Sequence, residues 1–183
     1  MKRLFVLSLF ACCSLLSFAQ RPDVDFVTLG ADEFTGEYKV QTALLNISKG
    51  RGNNLWMAFY YKEGNYYLFT ATHLYDAFTI DSGDILYLRF ADGSVAETHA
   101  TEYQVSTPHN SPYVIPFTIN MTYTTDRQTI QNVVDKSLQK VRVYINNGKY
   151  FEIEPKPNMV KELRNYASEF LRATRMHDKN FKN

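Results

Sequence analysis

From Leu55 to Leu74 the chain reads LWMAFYYKEGNYYLFTATHL, and its apolar residues populate both faces of a strand pair that turns at Glu63-Gly64. A reverse turn centred there sets Tyr61 opposite Tyr66, Tyr60 opposite Tyr67, Phe59 opposite Leu68, Ala58 opposite Phe69 and Trp56 opposite Ala71. Side chains alternate along a strand, so Met57, Phe59, Tyr61, Tyr66 and Leu68 share one face, while Trp56, Ala58, Tyr60, Tyr67, Phe69 and Ala71 share the other. A hairpin apolar on both sides needs cover on both, which predicts a central position in the fold.

The flanking pattern is also that of strands. Gln20 to Thr35 is mixed and polar, an extended lead-in or weak first strand; Gly36 to Ser48 has strand content, and Gly50 to Asn54 is a flexible turn. After the central hairpin, Asp81-Ser82-Gly83 leads into Ile85–Phe90, then Asp92-Gly93, then Val95 to Val105. Asp-Gly between alternating runs signals a second hairpin, with Phe90 expected opposite Val95 and Leu88 opposite Glu97. Tyr113 to Tyr123 reads as a strand whose Pro116 suggests an edge or a bulge. Thr125-Asp126-Arg127-Gln128 fits a capping box with Thr125 as N-cap, opening a short helix near 126–135 with Ile130, Val133 and Val134 inward. A third hairpin, Lys140–Ile145 and Tyr150–Glu154, turns at Asn147-Gly148. A closing amphipathic helix near 158–175, capped by Asn158, buries Val160, Leu163, Ala167, Phe170 and Leu171.

The resulting expectation is a mainly β protein, α+β at the margin, with three antiparallel hairpins, about eight strands and two helices. Two arrangements satisfy it: a β-sandwich, which is favoured, or a single curved sheet covered by helices. No repeat or linker divides 20–175, which reads as one domain, and 176–183 reads as a polar tail that frays.

The first 19 residues change the picture. Lys2 and Arg3 form a basic start, Leu4 to Phe18 is apolar but short for a bilayer span, and Ser17-Phe18-Ala19 supplies a cleavage context before Gln20. This predicts a secretory signal at 1–19 and export to the periplasm or the surface of a Gram-negative cell, with no membrane span after cleavage. Leu9-Phe10-Ala11-Cys12 is a poor lipobox, because bulky Phe10 stands where a small residue is usual. Both cysteines, Cys12 and Cys13, lie within the signal, so disulfides, thiol catalysis and cysteine-held metal are all excluded from the remainder. Removing Lys2 and Arg3 takes the basic count from 20 to 18 against 19 acidic residues. A near-neutral chain without basic clusters argues against nucleic acid as a partner.

Candidate chemistry is sparse. Asp81-Ser82-Gly83 resembles the turn that carries the catalytic carboxylate of aspartic proteases, but Asp84 follows where a small residue is usual, and no second copy supplies the partner carboxylate. A polar turn is the plainer reading. Glu97 and His99, two apart on a strand, point to one face and form a candidate metal or acid–base pair. They lack a third ligand, since His73 and His109 are too loosely placed in sequence to nominate. Gly50-Arg51-Gly52 is a loose connector rather than an anion cradle, and Asn46-Ile47-Ser48 and Asn120-Met121-Thr122 match a glycosylation pattern foreign to bacterial export. No cofactor motif is present. The aromatic density of the central hairpin is the one unusual feature, and Tyr60, Tyr61, Tyr66 and Tyr67 at its turn end are the candidate ligand-binding residues.

The signal ending Phe18-Ala19-Gln20, the Asp81–Asp84 lead-in, the Asp92-Gly93 hairpin, and Lys140-Val141-Arg142-Val143 followed by Asn147-Gly148 and a terminal helix together resemble small exported proteins of unknown function from gut-type Gram-negative bacteria. The resemblance implies a compact β-rich envelope domain and brings no catalytic residues. The functional expectation is a non-enzymatic binding or accessory module whose partner is an envelope protein, a glycan or a peptide. The alternatives are a small hydrolase using Glu97, His99 and Asp81 or Asp84, and a structural subunit of an envelope assembly.

Overall fold

The computed structural model describes residues 27–31, 37–48, 53–109 and 117–180. The signal segment 1–19 lies outside them, as do Gly50-Arg51-Gly52 and Pro116. Thirteen strands and two helices follow in order: β1 (Val27–Ala31), β2 (Tyr38–Thr42), β3 (Leu45–Asn46), β4 (Asn54–Lys62), β5 (Asn65–Leu74), β6 (Thr79–Ile80), β7 (Ile85–Phe90), β8 (Val95–Ala100), β9 (Gln104–Val105), β10 (Thr107–Pro108), β11 (Phe117–Thr125), α1 (Arg127–Asp135), β12 (Leu138–Ile145), β13 (Lys149–Ile153) and α2 (Pro157–Asn180).

The protein is mainly β and antiparallel, and its main sheet is one continuous strand path, β1-β2-β4-β5-β11-β8-β7-β12-β13. β3 adds to β4, β10 adds to β11, and β6 with β9 forms a small separate ribbon. The path has a narrow waist. β11 pairs with β5 along its whole length, from Phe117 opposite Leu74 to Thr125 opposite Tyr66, but meets β8 only at Tyr123 and Thr124. The sheet therefore has two halves, and their buried side chains form a single core that includes Val40, Phe59, Leu88, Met121, Val143 and Phe170.

The central hairpin has the expected register, with Tyr61 opposite Tyr66 and Trp56 opposite Ala71. Glu63 and Gly64 both adopt positive φ at the turn, a conformation that glycine takes without a Cβ penalty. Met57, Phe59, Tyr61 and Leu68 are buried, and α2 covers this side, packing on β1, β2, β3 and β4. Side-chain hydroxyls complete the ladder where β2 gives way to β3: Thr42 Oγ1 accepts the Phe59 N–H at 2.9 Å, and Ser48 Oγ accepts the Leu55 N–H at 2.7 Å.

Four local expectations need correction. The Asp92-Gly93 hairpin closes with a three-residue loop, the Phe90 N–H donating to the Ser94 carbonyl at 2.9 Å, so Val95 faces Arg89 and Glu97 faces Tyr87. Gly93, at φ 84, takes the left-handed position of a type I turn with a bulge, which shifts the register by one residue. β11, described from Phe117, is interior rather than an edge, because it pairs with β5 on one side and with β8 and β10 on the other. The N-cap of α1 is Asp126, whose carboxylate accepts the Thr129 N–H at 2.6 Å. The last helix begins at Pro157, whose fixed φ suits the first turn, and continues past Arg175 to Asn180 because no glycine or proline stops it. Among the described residues no helix is long and apolar enough to cross a membrane.

Candidate functional site

The outer face of the second half-sheet carries a hollow lined by aromatic and charged side chains. β7, β12 and β13 bury Leu86, Leu88, Val141, Val143, Phe151 and Ile153, so strict alternation turns Tyr87, Arg89, Lys140, Arg142, Tyr144, Tyr150 and Glu152 outward. Register then sets them side by side. Arg142 lies opposite Tyr87 on one flank and Glu152 on the other, and Tyr144 lies opposite Tyr150.

The rings form a file, with centres 5.9 Å apart between Tyr87 and Tyr144 and 5.8 Å apart between Tyr144 and Tyr150. The Arg142 guanidinium covers Tyr150 at 4.3 Å, leaving the rest of that ring open to solvent. Glu152 holds the charges in place. Its Oε2 accepts from Lys140 Nζ at 2.9 Å, and its Oε1 accepts from Arg142 Nη2 at 2.6 Å and from Nε at 2.9 Å. These bonds, Lys140 first, hold the Glu152 carboxyl below the ordinary carboxylate range, and the same pairing raises Lys140 and Arg142. The hollow bounded by Tyr87, Arg89, Val95, Lys140, Arg142, Tyr144 and Glu152 has a volume of about 320 Å³. Arg89 is exposed and makes no ion pair within the described residues, so the lining carries three cations against one carboxylate.

The residues nominated from sequence lie elsewhere. Tyr61 is buried and Tyr66 half-buried; their rings meet edge to face at 5.0 Å beneath α2, and Tyr66 also touches Phe170. Tyr60 and Tyr67 pair at 5.8 Å on the opposite face. The four tyrosines thus do not share one surface, as alternation requires. Glu97 and His99 are exposed on the outer face, opposite Tyr87 and Ile85. Asp84 pairs through its backbone with Ala100, one position out of phase with His99, and so belongs to the inner face with Leu86. Its carboxylate accepts the Asp81 N–H at 2.9 Å and closes the Asp81–Asp84 turn. The faces of the sheet therefore do not bring Asp84 together with Glu97 and His99. No cluster of three or more His, Cys, Asp or Glu side chains suited to a metal occurs among the described residues.

The hollow was not legible in the sequence because its members come from four strands, β7, β8, β12 and β13, whose pairing order is not that of the chain. One signal was available: the alternating Lys140-Val141-Arg142-Val143-Tyr144 marks a strand with one polar, aromatic face.

No family model, curated protein or solved structure matches the chain.

Proposed function

We propose that the chain is an exported, non-enzymatic envelope module that binds an acidic glycan on the β7–β12–β13 face. One observation carries the reading: a file of three tyrosine rings runs beside the Arg142–Glu152 pair and ends near Arg89, which makes no ion pair within the described residues, around a hollow of ligand size. Sugar rings present C–H faces that stack on aromatic side chains. Planar guanidinium and carboxylate groups held in fixed orientation hydrogen-bond adjacent hydroxyls, and an arginine without a partner suits a carboxylate or sulfate on the glycan. Export rests on the basic start at Lys2 and Arg3 and the apolar run Leu4 to Phe18.

The test is thermal unfolding of the purified chain against neutral oligosaccharides, acidic oligosaccharides and peptides. A ligand specific for the folded state contributes about 2.7 kcal/mol at a hundredfold excess over its dissociation constant, which moves the midpoint by several degrees. The expected result is a shift with acidic oligosaccharides that Arg89→Ala weakens and Tyr144→Ala abolishes. A shift only with peptides, or one lost in Tyr60→Ala and Tyr67→Ala but kept in Tyr144→Ala, overturns the assignment.

A further inference from the structure

At the end of the first half-sheet away from the Glu63–Gly64 turn, three rings line up on the outer face. Trp56 and His73 are diagonal neighbours on β4 and β5, with ring centres 4.3 Å apart. His109 arrives from the other side. Thr107 on β10 and His73 on β5 both lie opposite Thr118 of β11, so His109, two residues beyond Thr107, returns to the same face and reaches across β11. Its ring centre lies 5.5 Å from that of His73, with the planes 34° apart. The two imidazoles are separated by some 35 residues of sequence and are joined only through β11.

From this geometry we propose that His73 and His109 together bind a late first-row divalent metal ion, copper(II) or nickel(II) ahead of zinc. A metal bonded to both rings at about 2.0–2.1 Å sits roughly 3.2 Å from each ring centre, so ligand–metal–ligand angles of about 90° to 120° require centres about 4.5–5.5 Å apart. The observed spacing falls at the upper edge of that window. Imidazole is a ligand for these metals, and affinity within the series peaks at copper. No third His or carboxylate joins the pair among the described residues, so water fills the remaining positions and the metal exchanges freely. His99 takes no part. It lies opposite Thr124, six positions along β11 from Thr118, which is about 20 Å at the rise of a strand.

Trp56 is the only tryptophan in the chain and touches His73, so its emission reports on this site alone. The purified chain is titrated with copper(II) chloride while Trp56 emission is followed, then challenged with zinc and with a chelator. The expected result is saturable, one-to-one quenching that the chelator reverses and that excess zinc competes away. His109→Ala, an exposed change that leaves the circular dichroism spectrum unaltered, removes the saturable phase, and His99→Ala retains it. Emission that does not respond, or quenching that is linear and equal in the parent and His109→Ala proteins, overturns the proposal. The glycan reading stands or falls separately, since Arg89→Ala and Tyr144→Ala do not touch this site.

Discussion

The rings of Phe59 and Phe170 lie 5.7 Å apart, centre to centre, and this contact fastens the closing helix to the central hairpin. Both side chains are fully buried, and Tyr66 meets Phe170 edge-on at 6.2 Å. Truncating such a side chain removes its burial and leaves a cavity. Phe170→Ala is therefore expected to cost about 3–5 kcal/mol, against less for Phe69→Ala on the half-buried outer face. Urea unfolding of the two variants at one pH gives the comparison, and equal losses would show that α2 does not close the core.

Asp126, rather than Thr125, caps α1. The Asp126 carboxylate accepts the Thr129 N–H, whereas the Thr125 hydroxyl is buried with no hydrogen-bond partner within the described residues. Losing a cap acceptor costs about 0.5–2 kcal/mol. Replacing an unsatisfied hydroxyl by a methyl of the same shape is close to neutral or stabilising. Asp126→Ala should therefore lower the unfolding midpoint and Thr125→Val should not; the reverse order would restore Thr125 as the cap.

At the β7–β8 hairpin the register depends on Gly93. Its φ of 84 lies in the left-handed region, and a Cβ added there would meet no atom within 4 Å, so the penalty for a side chain is conformational rather than steric crowding. Gly93→Ala should cost about 1–2 kcal/mol. Gly93→Asn should cost less, since asparagine tolerates this region. Chemical denaturation measures both, and a Gly93→Ala protein as stable as the parent would mean that another loop length is accessible at equal energy.

This hairpin also shows where sequence pattern stops. Alternation identifies Leu86, Leu88 and Phe90 as inward whatever the loop, because they come from one strand. Their partners depend on whether the loop holds three or four residues, and Asp-Gly serves either length. The Glu63-Gly64 turn had no such ambiguity, since a two-residue loop sets Tyr61 against Tyr66 and Tyr60 against Tyr67, and its register is the expected one. α2 was legible as a stripe from Leu163 to Leu171, but the surface it covers was not, because it packs on α1 and also on β1 to β4, which lie far away in sequence. The same limit hid both candidate sites. Tyr87, Tyr144 and Glu152 meet only once β7 is known to pair with β12, and His73 meets His109 only once both are known to flank β11. Tyr61 and Tyr66 mislead for the opposite reason: aromatic pairing marks a strong hairpin, and the face it creates was needed to seat α2.

Asp92 and Glu152 together define an acid limit for the fold. Lys136 Nζ lies 2.8 Å from Asp92, whose other oxygen accepts the Ser94 N–H at 3.0 Å, and Lys140 and Arg142 surround Glu152. Hydrogen bonding to Lys136 holds the Asp92 carboxyl far below its ordinary range, and the contacts to Lys140 and Arg142 lower Glu152. In the unfolded chain both carboxylates take up protons in the usual range, about 4. In the folded protein they stay ionised to lower pH. The unfolded state therefore binds more protons across that window, so the stability these groups contribute is present above it and is lost as the pH falls through it. Both groups lie at the surface, where water and salt weaken ion pairs, so the effect is a slope in the acid limb and is smaller at high ionic strength. Asp92→Asn and Glu152→Gln should each flatten the dependence of the unfolding midpoint on pH between about 5 and 2, and the double substitution should flatten it further. Midpoints measured across that range at low and high salt decide it: an acid limb unchanged in the double variant would assign the loss of stability to other carboxylates.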